Sequence, residues 1–562
     1  MIRKTKKEEI NLSVAYFSME IAMHPDIKTY SGGLGVLAGD ILRSAADLKL
    51  PMIGVTLLSR YGYFHQKINK DGYQKENIYK QYNFSKIKKL DVETFIKIGK
   101  DKVYISAWQY LIKSPNGFEV PVFLLDTNLK KNKEDYRKLT DHLYGGNREY
   151  RLLQEMILGR GGYNLVKKLG YNIKKFHINE GHGSFVAVAK FLDEKRGSIK
   201  EKIESVKRSC IFTTHTPIKT ANDIFRLDKV MKYQPDFPKD LPGLVIKERV
   251  NMTEVALYFS SYVNSVALSH KLVTKEMFPL YNIGHITNGV HSLTWTTDEF
   301  INLYDKYILN WRESGLSLRH ALSIPLNSIW QAHQKNKQKL VDIIRKKTGE
   351  NLNPKIFTIG FARRFTSYKR PNLLFNDINR LLEVQKKSGK IQIVYSGKAH
   401  PQDEKGKKLI KELQDIKNVF SDKIKIVFLE NYDMNLAKDI IAGVDLWLNN
   451  PLPPNEASGT SGMKAAHNGV PQLSSLDGWW HEGYIKGKTG WVIDGKRYKT
   501  SQKQDESDAK IIYNLLEKEI LTTFYKKPQV WREIMRFSIA INASLFNTDR
   551  VVRDYIQNAY FN

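Results

Sequence analysis

Ile356-Phe357-Thr358-Ile359-Gly360-Phe361 sets the fold class of the second half of this chain. It is a short apolar run, and similar runs follow at Ile391 to Tyr395, Ile424 to Leu429 and Leu446 to Leu448. The spacers between these runs have the length of a helix. Strands that alternate with helices are typical of parallel α/β units. The spacing therefore predicts a doubly wound sheet of the mononucleotide-binding type.

The first half of the chain has apolar runs of the same kind. They lie at Leu12 to Phe17, Met52 to Leu57 and Ile211 to Thr214. The chain has 562 residues, more than one hydrophobic core usually supports, so we predict two α/β domains. We place them at residues 1–300 and 301–562. A final helix, capped near Thr548-Asp549, can cross back to the first domain.

The net charge of +30 raises the question of nucleic-acid binding. Lysines are spread through nearly every segment and are often adjacent to acidic residues, as in Glu194-Lys195 and Glu201-Lys202. The sequence contains no arginine-rich arm and no zinc-finger spacing. Scattered lysines are typical of solvated faces, so the charge predicts no specific nucleic-acid partner.

The composition also bounds the redox chemistry and the location. The single cysteine, Cys210, excludes an intramolecular disulfide and a cysteine-built metal site, and we expect no metal ion. Its apolar neighbours predict an inert, packed thiol. No apolar segment follows the basic start Met1 to Lys7, and no run approaches the length of a membrane span. We therefore expect a cytoplasmic protein with no membrane partner.

A glycine-rich segment near the C-terminal third ends in a lysine. It reads Glu456-Ala457-Ser458-Gly459-Thr460-Ser461-Gly462-Met463-Lys464. Glycines let backbone N–H groups approach an anion, and the two hydroxyls of Thr460 and Ser461 add donors. A lysine one turn into the following helix can form a Schiff base with an aldehyde cofactor whose phosphate the loop holds. The same segment, taken alone, also fits a Gly/Ser loop that caps a helix.

A basic cluster follows the strand that ends at Phe361. It contains Arg363, Arg364 and Lys369, which should lie at the carboxyl end of that strand. Arginine offers a planar fork to phosphate oxygens and lysine a compact charge, so the cluster predicts a dianion site. A basic surface turn is the alternative.

The lysine segment resembles the cofactor-lysine motif of the α-glucan phosphorylases, which act on glycogen, starch or maltodextrin. Other segments resemble motifs of that family in the same order along the chain. They are Ser31 to Ala38, Arg60 to Ile68, Asn179 to His182, Thr214 to Thr216, Asn288 to Val290, Arg363 to Arg370 and Glu430 to Tyr432. The resemblance spans roughly residues 13–70, 140–300 and 355–490.

The resemblance implies a fold, a cofactor and an anion site. The fold is the GT-B type of glycosyltransferase, with two Rossmann-like domains facing across a cleft. The cofactor is pyridoxal 5'-phosphate, held through Lys464. The residues matching its surroundings are Arg363, Thr460, Ser461, Gly33, Tyr432 and Trp295, and those matching the substrate-phosphate site are Arg364, Lys369 and the N–H of Gly33. Ser461 stands where the family has glycine and Gly462 where the longer enzymes have asparagine, so the contacts to the cofactor phosphate stay open.

The resemblance also implies a sugar site. Its residues are Glu456, Ala457, Ser458, Gly459, His215 and Asn288. His215 also fits a satisfied core histidine, and Asn288-Gly289 fits a plain turn, so both alternatives stay open. Glu180 and His182 lie in a matching loop but are left outside the predicted site.

The implied reaction is reversible phosphorolysis of the terminal α-1,4-linked glucose of a glucan, which yields α-D-glucose 1-phosphate. The cofactor phosphate would exchange a proton with the substrate phosphate. The partners are the glucan and inorganic phosphate, and a homodimer is compatible with the resemblance. The chain begins just before its first matching motif, so we expect no N-terminal phosphoserine switch. The alternatives are a nucleotide-sugar-dependent glucan synthase of the same fold and a catalytically silent glucan-binding relative.

Overall fold

A computed structural model of the chain describes residues 14–77, 80–218 and 221–561. The contacts between Cα atoms divide it into two compact units. The second unit consists of His65–Asn77 and Asn288–Arg550, and the first unit of the remaining described residues, which include those from Val551 onward. Each unit is α/β, so the predicted class is confirmed. The domain limits at residues 1–300 and 301–562 stay a prediction.

The strands follow the apolar runs closely. In chain order they are β1 (Val14–Phe17), β2 (Met52–Leu57), β3 (His65–Ile68), β4 (Gln74–Asn77), β5 (Lys88–Ile98), β6 (Asp101–Lys113), β7 (Glu119–Asp126), β8 (Lys175–Asn179), β9 (Cys210–Thr213), β10 (Ile224–Arg226), β11 (Arg249–Asn251), β12 (Tyr262–Ser265), β13 (Gly284–His285), β14 (Phe357–Ala362), β15 (Ile391–Ser396), β16 (Lys425–Leu429), β17 (Leu446–Asn449), β18 (Gln472–Ser475) and β19 (Gly490–Ile493). The predicted strands are confirmed to within about a residue at most ends, while Leu12 and Ser13 lie outside the described residues.

The helices occupy the spacers between the strands. In chain order they are α1 (Gly33–Asp47), α2 (Glu134–Arg137), α3 (Arg148–Met156), α4 (Gly162–Lys168), α5 (Phe185–Asp193), α6 (Ile199–Ser209), α7 (Leu227–Tyr233), α8 (Met252–Tyr258), α9 (Leu268–Met277), α10 (Ser292–Trp295), α11 (Asp298–Tyr307), α12 (Leu326–Thr348), α13 (Ile378–Ser388), α14 (Glu404–Val419), α15 (Met434–Gly443), α16 (Ser461–Ala466), α17 (Trp480–Gly483), α18 (Ser501–Leu515), α19 (Leu521–Lys526), α20 (Pro528–Phe537) and α21 (Thr548–Tyr555). No helix within the described ranges is both long and apolar enough to span a lipid bilayer.

The first unit contains a nine-stranded sheet in the order β13-β12-β9-β8-β1-β2-β7-β6-β5. Neighbours from β13 to β7 are parallel, and β6 and β5 extend the sheet in antiparallel fashion. The chain leaves β1 toward β2 on one side, and β8 pairs with β1 on the other. The topological switch point of this sheet therefore lies between β1 and β8, where ligands bind in open α/β sheets.

Strand β1 separates two apolar layers in the first unit. Ala15 and Phe17 belong to one buried cluster, while Val14 and Tyr16 belong to another. Successive residues of a strand point to opposite faces, so a strand buried on both faces is apolar throughout. Val551, in the last helix, packs into the second of these clusters.

The second unit contains a six-stranded sheet in the order β16-β15-β14-β17-β18-β19. Every neighbouring pair in it is parallel. This is the doubly wound strand order, and it confirms the mononucleotide-type prediction for this half. Its switch point lies between β14 and β17, so the carboxyl ends of these two strands are where a ligand site is expected.

The β3–β4 hairpin belongs to the second unit although it comes from the N-terminal part of the chain. Gln66 Nε2 donates to the carbonyl of Gly397 at 2.8 Å, and Gln74 Nε2 donates to the carbonyl of Ala399 at 3.0 Å. Both carbonyls lie just after β15. The hairpin is therefore anchored at the carboxyl edge of the second sheet.

Cys210 lies in β9 and is fully buried. Burial raises the pKa of its thiol to about 12, so the thiolate is not formed near neutral pH. The predicted packing of this thiol is confirmed, and its inertness stays a prediction.

Candidate active site

The switch point of the second sheet brings two polar side chains together. Arg363 directly follows β14, and Asn449 is the last residue of β17. Arg363 Nη1 donates to Asn449 Oδ1. Both side chains are buried, so the guanidinium is fixed at the carboxyl edge of the sheet rather than free in solvent. The predicted position of Arg363 at a strand end is confirmed.

Glu456 joins this edge from the lysine segment. Its Oε2 accepts from Arg363 Nη2 at 2.6 Å and from Lys369 Nζ at 2.9 Å. All three residues are buried. Burial by itself would raise the pKa of Glu456, but the charges of Arg363 and Lys369 outweigh it and lower that pKa to about 2. Glu456 is therefore ionised throughout the physiological range.

The charges in this cluster do not balance. Two buried cations share the single carboxylate of Glu456. Arg364, next to Arg363, is exposed. The pKa of His400 is lowered mainly by the burial of His400 and next by the charge of Arg364. An excess of fixed positive charge in a poorly solvated place favours an anion, and a phosphate dianion suits it.

Asp477, just after β18, supports the backbone of Glu456. Its Oδ2 accepts from the N–H of Glu456 at 2.9 Å, and its Oδ1 accepts from the N–H of Gly478 at 2.9 Å. Burial raises the pKa of Asp477 from 3.8 to about 7, with the charge of Glu456 acting in the same direction. Between about pH 4 and pH 7 the folded protein therefore holds a proton here that the unfolded chain releases.

We expect Asp477→Asn to change the pH dependence of stability. Between about pH 4 and pH 7 the folded state binds this proton and the unfolded state does not, so the parent loses stability as pH rises through that window. The unfolding free energy of the variant relative to the parent should increase over this window by as much as about 4 kcal/mol. Urea denaturation at several pH values measures it. The exposed Asp415→Asn is the control, and parallel curves for Asp477→Asn and parent would contradict the assignment.

Lys464 lies in α16, one turn from its start, and is buried. Its Nζ is 3.7 Å from the ring centroid of Trp295, a cation–π contact. Asn468 Nδ2 donates to the carbonyl of Trp295 at 2.8 Å and to the carbonyl of Lys464 at 3.0 Å, which ties α10 to α16. The structure thus brings together the lysine and one of the two aromatic residues predicted beside it.

The lysine segment has two glycines, one explained by its backbone conformation and one by close packing. Gly459 has φ +82°, a conformation that favours glycine. A Cβ added to Gly462 would lie 1.5 Å from Gln472 Oε1. Thr460 precedes the first residue of α16, and Ser461 Oγ accepts from Trp447 Nε1 at 3.1 Å.

Several buried polar atoms near this segment lack a hydrogen-bond partner in the part of the chain that the structure describes. They are Ser458 Oγ, both carboxamide atoms of Gln472 and Trp479 Nε1. Buried polar groups are normally satisfied, so such a set is what a polar ligand would complete. Together with a buried lysine and a positively charged edge, it fits an aldehyde cofactor that carries a phosphate.

The sugar-site residues predicted in the first unit lie near its switch point. His215 follows β9, and its Nε2 is 2.6 Å from Asn179 Oδ1 at the end of β8. Its backbone N–H donates to Glu180 Oε2 at 2.8 Å. Desolvation lowers the pKa of His215 to about 3, so the ring is neutral; its Nε2 donates to Asn179 Oδ1 and its Nδ1 is left as an acceptor. Gly33 is the first residue of α1, in the same unit.

Three more predicted residues are Asn288, Tyr432 and Ala457. Asn288 is buried, and its carbonyl accepts from Arg550 Nη2 at 3.2 Å. Tyr432 lies between β16 and α15, and Ala457 follows Glu456 in the chain. Both are half-buried. Among the residues with described coordinates, no group of three or more His, Cys, Asp or Glu side chains is arranged to hold a metal ion.

Sequence reasoning missed three residues of these sites. Asn449 and Asp477 bind Arg363 and the backbone of Glu456, and Glu20 contacts the glycine loop. Each lies at or just after the carboxyl end of a parallel strand, namely β17, β18 and β1. The rule that identified Arg363 would have found them if it had been applied to every strand.

Comparisons with known proteins agree with one another. A family model described as Carbohydrate phosphorylase matches residues 239–482. The maltodextrin phosphorylase of Thermococcus litoralis is 38% identical, over 97% of this chain and 70% of that protein. The glycogen phosphorylase of Aquifex aeolicus is 35% identical, over 100% of this chain and 88% of that protein. An uncharacterized protein of Methanocaldococcus jannaschii is 32% identical, over 97% and 99% respectively.

Proposed function

This chain belongs to the carbohydrate phosphorylase family, and from that premise we propose that it phosphorolyses α-1,4-glucans. Inorganic phosphate takes the terminal glucose as α-D-glucose 1-phosphate, and the glucan is shortened by one unit; the reaction is reversible. The observation that carries this proposal is the buried cluster of Arg363, Lys369 and Glu456, whose uncompensated positive charge suits a phosphate. A location in the cytoplasm and a homodimeric state belong to the same proposal.

We infer that the resident cofactor is pyridoxal 5'-phosphate, attached to Lys464. The fit rests on the buried lysine amine over Trp295 and on the unpartnered polar atoms beside α16. When bound, the cofactor supplies a phosphate that exchanges a proton with the substrate phosphate. Arg363 would hold the cofactor phosphate with the hydroxyls of Thr460 and Ser461, and Tyr432 and Trp295 would flank the ring.

The remaining site residues would bind either the attacking phosphate or the glucose. Arg364, Lys369 and the N–H of Gly33 would hold the attacking phosphate. Preorganised cations of this kind stabilise charge in the transition state without reorganising during the reaction. The glucose hydroxyls would be bound by Glu456, Ala457, Ser458, Gly459, His215 and Asn288.

The ionisation states suit these roles. A Glu456 carboxylate with a pKa of about 2 can accept hydrogen bonds from sugar hydroxyls but holds no proton to donate near neutral pH. Nε2 of neutral His215 donates to Asn179 Oδ1, which leaves Nδ1 to accept a hydrogen bond from a sugar hydroxyl. We therefore assign neither residue as the general acid.

The variant Arg364→Ala tests the proposed reaction. Arg364 is exposed beside the buried cluster, so its loss should leave the fold intact and weaken the hold on phosphate. We expect the KM for phosphate to rise about tenfold or more, as for a lost charge-assisted hydrogen bond, with a smaller change in the KM for glucan. Steady-state phosphorolysis of a maltodextrin at varied phosphate measures both constants.

The control for that experiment is Arg345→Ala, since Arg345 is an exposed arginine near the end of α12. An unchanged phosphate dependence in Arg364→Ala would remove Arg364 from the anion site. If the parent transfers glucose from a nucleotide sugar and releases no glucose 1-phosphate from glucan, the proposed function is wrong and the synthase alternative holds.

A further inference from the structure

The glycine loop of the first unit is built around a carboxylate of the protein itself. Glu20 follows β1 and is buried. Its Oε2 accepts from the N–H of Ser31 at 2.6 Å and from the N–H of Gly32 at 3.2 Å, and the Ser31 hydroxyl lies at 3.3 Å. Hydrogen bonds to an ionised acceptor are the strong ones. Two amides of the loop are therefore already engaged by Glu20.

The glycines of this loop differ in what lies beside them. A Cβ added to Gly35 would lie 2.8 Å from Glu20 Oε2 and 2.8 Å from Tyr30 Cβ, so only glycine lets the helix approach the carboxylate. A Cβ added to Gly33 would meet no atom of the described residues within 4 Å. A Cβ added to Gly32 would likewise meet no described atom within 4 Å, so the close approach to Glu20 is at Gly35 and not at the two glycines where α1 begins.

A second side chain holds the other oxygen of Glu20. Tyr144 OH donates to Glu20 Oε1 at 2.9 Å. Burial, followed by the charge of Glu20, keeps the pKa of Tyr144 well above its usual range, so the phenol stays a donor. Tyr144 itself has φ +54°, in the left-handed region that residues other than glycine rarely adopt.

A charged cluster lies behind Tyr144. The guanidinium carbon of Arg151 is 4.5 Å from the Tyr144 ring centroid, and its Nη2 is 3.2 Å from Asp223 Oδ2. His182 Nε2 approaches the same carboxylate at 3.3 Å, and Glu155 lies 3.2 Å from Arg151. This packing fixes the Tyr144 ring, and through the ring it fixes the carboxylate of Glu20.

We propose that Glu20 is a positioning residue that holds the glycine loop in the form that binds substrate phosphate. Its carboxylate fixes the amides of Ser31 and Gly32, and by holding the two residues before Gly33 it sets the backbone whose N–H would bind the phosphate. Glu20 acts through the loop and does not itself touch the substrate. The inference rests on the proposed function for the identity of the ligand, but the contact between Glu20 and the loop does not.

The test uses the full chain with its cofactor and two independent readouts. The variants are Glu20→Ala, Glu20→Gln and Tyr144→Phe, and the control is Glu134→Ala, whose side chain is 76% exposed. Hydrogen exchange, resolved by mass spectrometry on short peptides, reports the protection of the Ser31 and Gly32 amides. Steady-state kinetics separate the KM for phosphate from kcat and from the KM for glucan.

We expect Glu20→Ala to speed exchange of both amides about tenfold to a hundredfold, as for the loss of hydrogen bonds to a charged acceptor. The KM for phosphate should rise about tenfold with a smaller change in kcat. Glu20→Gln keeps an acceptor oxygen and Tyr144→Phe removes one donor, so each should show a smaller effect in the same direction. Glu134→Ala should match the parent in both readouts.

Two outcomes would overturn the proposal. One is unchanged exchange of Ser31 and Gly32 in the Glu20 variants, and the other is faster exchange with an unchanged KM for phosphate. If Glu20→Ala does not fold, Glu20→Gln and Tyr144→Phe carry the same comparison. If the parent has no phosphorolysis activity, the proposed function fails, while the exchange data still decide whether Glu20 holds the loop.

Discussion

Lys464→Ala is expected to abolish covalent attachment of pyridoxal phosphate and to lower the phosphorolysis rate by at least about 10³-fold, the upper part of the range for a lost acid–base group. The reason is that alanine has no amine to form a Schiff base with the cofactor aldehyde. Lys464 is buried with its amine over Trp295, so a lysine elsewhere on the surface would not present an amine to the same place.

The measurement is absorbance in the near ultraviolet and visible range, followed by borohydride reduction and peptide mapping. The parent should carry a pyridoxyl adduct on Lys464, and the variant should carry none. Lys503→Ala, an exposed lysine on α18, is the control and should keep both adduct and rate. An adduct on another lysine, or a variant that keeps the parental rate, would contradict the assignment of Lys464 as the cofactor lysine.

Glu456→Ala is expected to destabilise the fold by about 3–5 kcal/mol at neutral pH, the cost of breaking a buried ion pair. Its removal leaves the buried charges of Arg363 and Lys369 without the carboxylate they share. The folded pKa of about 2 is below the value of 4.5 for the unfolded chain, so this stabilisation is present above about pH 4.5 and is lost as pH falls toward 2. The difference between variant and parent should therefore shrink in acid.

Urea denaturation at pH 7 and pH 3 measures this difference. Glu404→Ala is the control, since that side chain is 81% exposed on α14 and should change stability little. Added sulfate or phosphate should stabilise Glu456→Ala more than the parent, because an anion can replace the missing charge. A difference below about 1 kcal/mol that does not vary with pH would contradict the role of Glu456 as the counter-ion of this cluster.

The two predictions separate two properties of the lysine segment. Lys464 and Glu456 are eight positions apart in the chain, at opposite ends of the segment that the sequence singled out. Glu456 belongs to the charged cluster on Arg363 and Lys369, while Lys464 belongs to the contact with Trp295. Loss of stability with an intact cofactor, or the reverse, is thus expected from single substitutions.

Strand positions and strand-end residues followed from local pattern alone. The run at Met52 to Leu57 is a strand with the predicted bounds, and Arg363 lies at the end of β14 as its spacing required. Buried parallel strands are apolar on both faces, so their sequence is informative without any knowledge of their neighbours. Polar residues placed immediately after such runs must lie at a sheet edge.

The pattern of apolar runs in the sequence did not predict which strand ends meet. Arg363 and Glu456 are 93 positions apart, and their contact depends on β17 lying beside β14 rather than beside β16. The β3–β4 hairpin lies in the second unit although its residues precede most of the first. Periodicity specifies the faces of an element but not its neighbours, which are chosen when distant elements pack.

Glu20 shows most directly the difference between what the local sequence predicts and what tertiary packing decides. The glycines of Ser31 to Ala38 could be read along the chain as a loop suited to an anion, because glycine backbone conformations are a local property. That Gly35 accommodates the carboxylate of Glu20, and that the amides of Ser31 and Gly32 donate to it, depends on where β1 ends relative to α1 in the folded unit. Local residue types thus specified a loop that binds negative charge, and the packing of distant elements specified which of its amides are already taken.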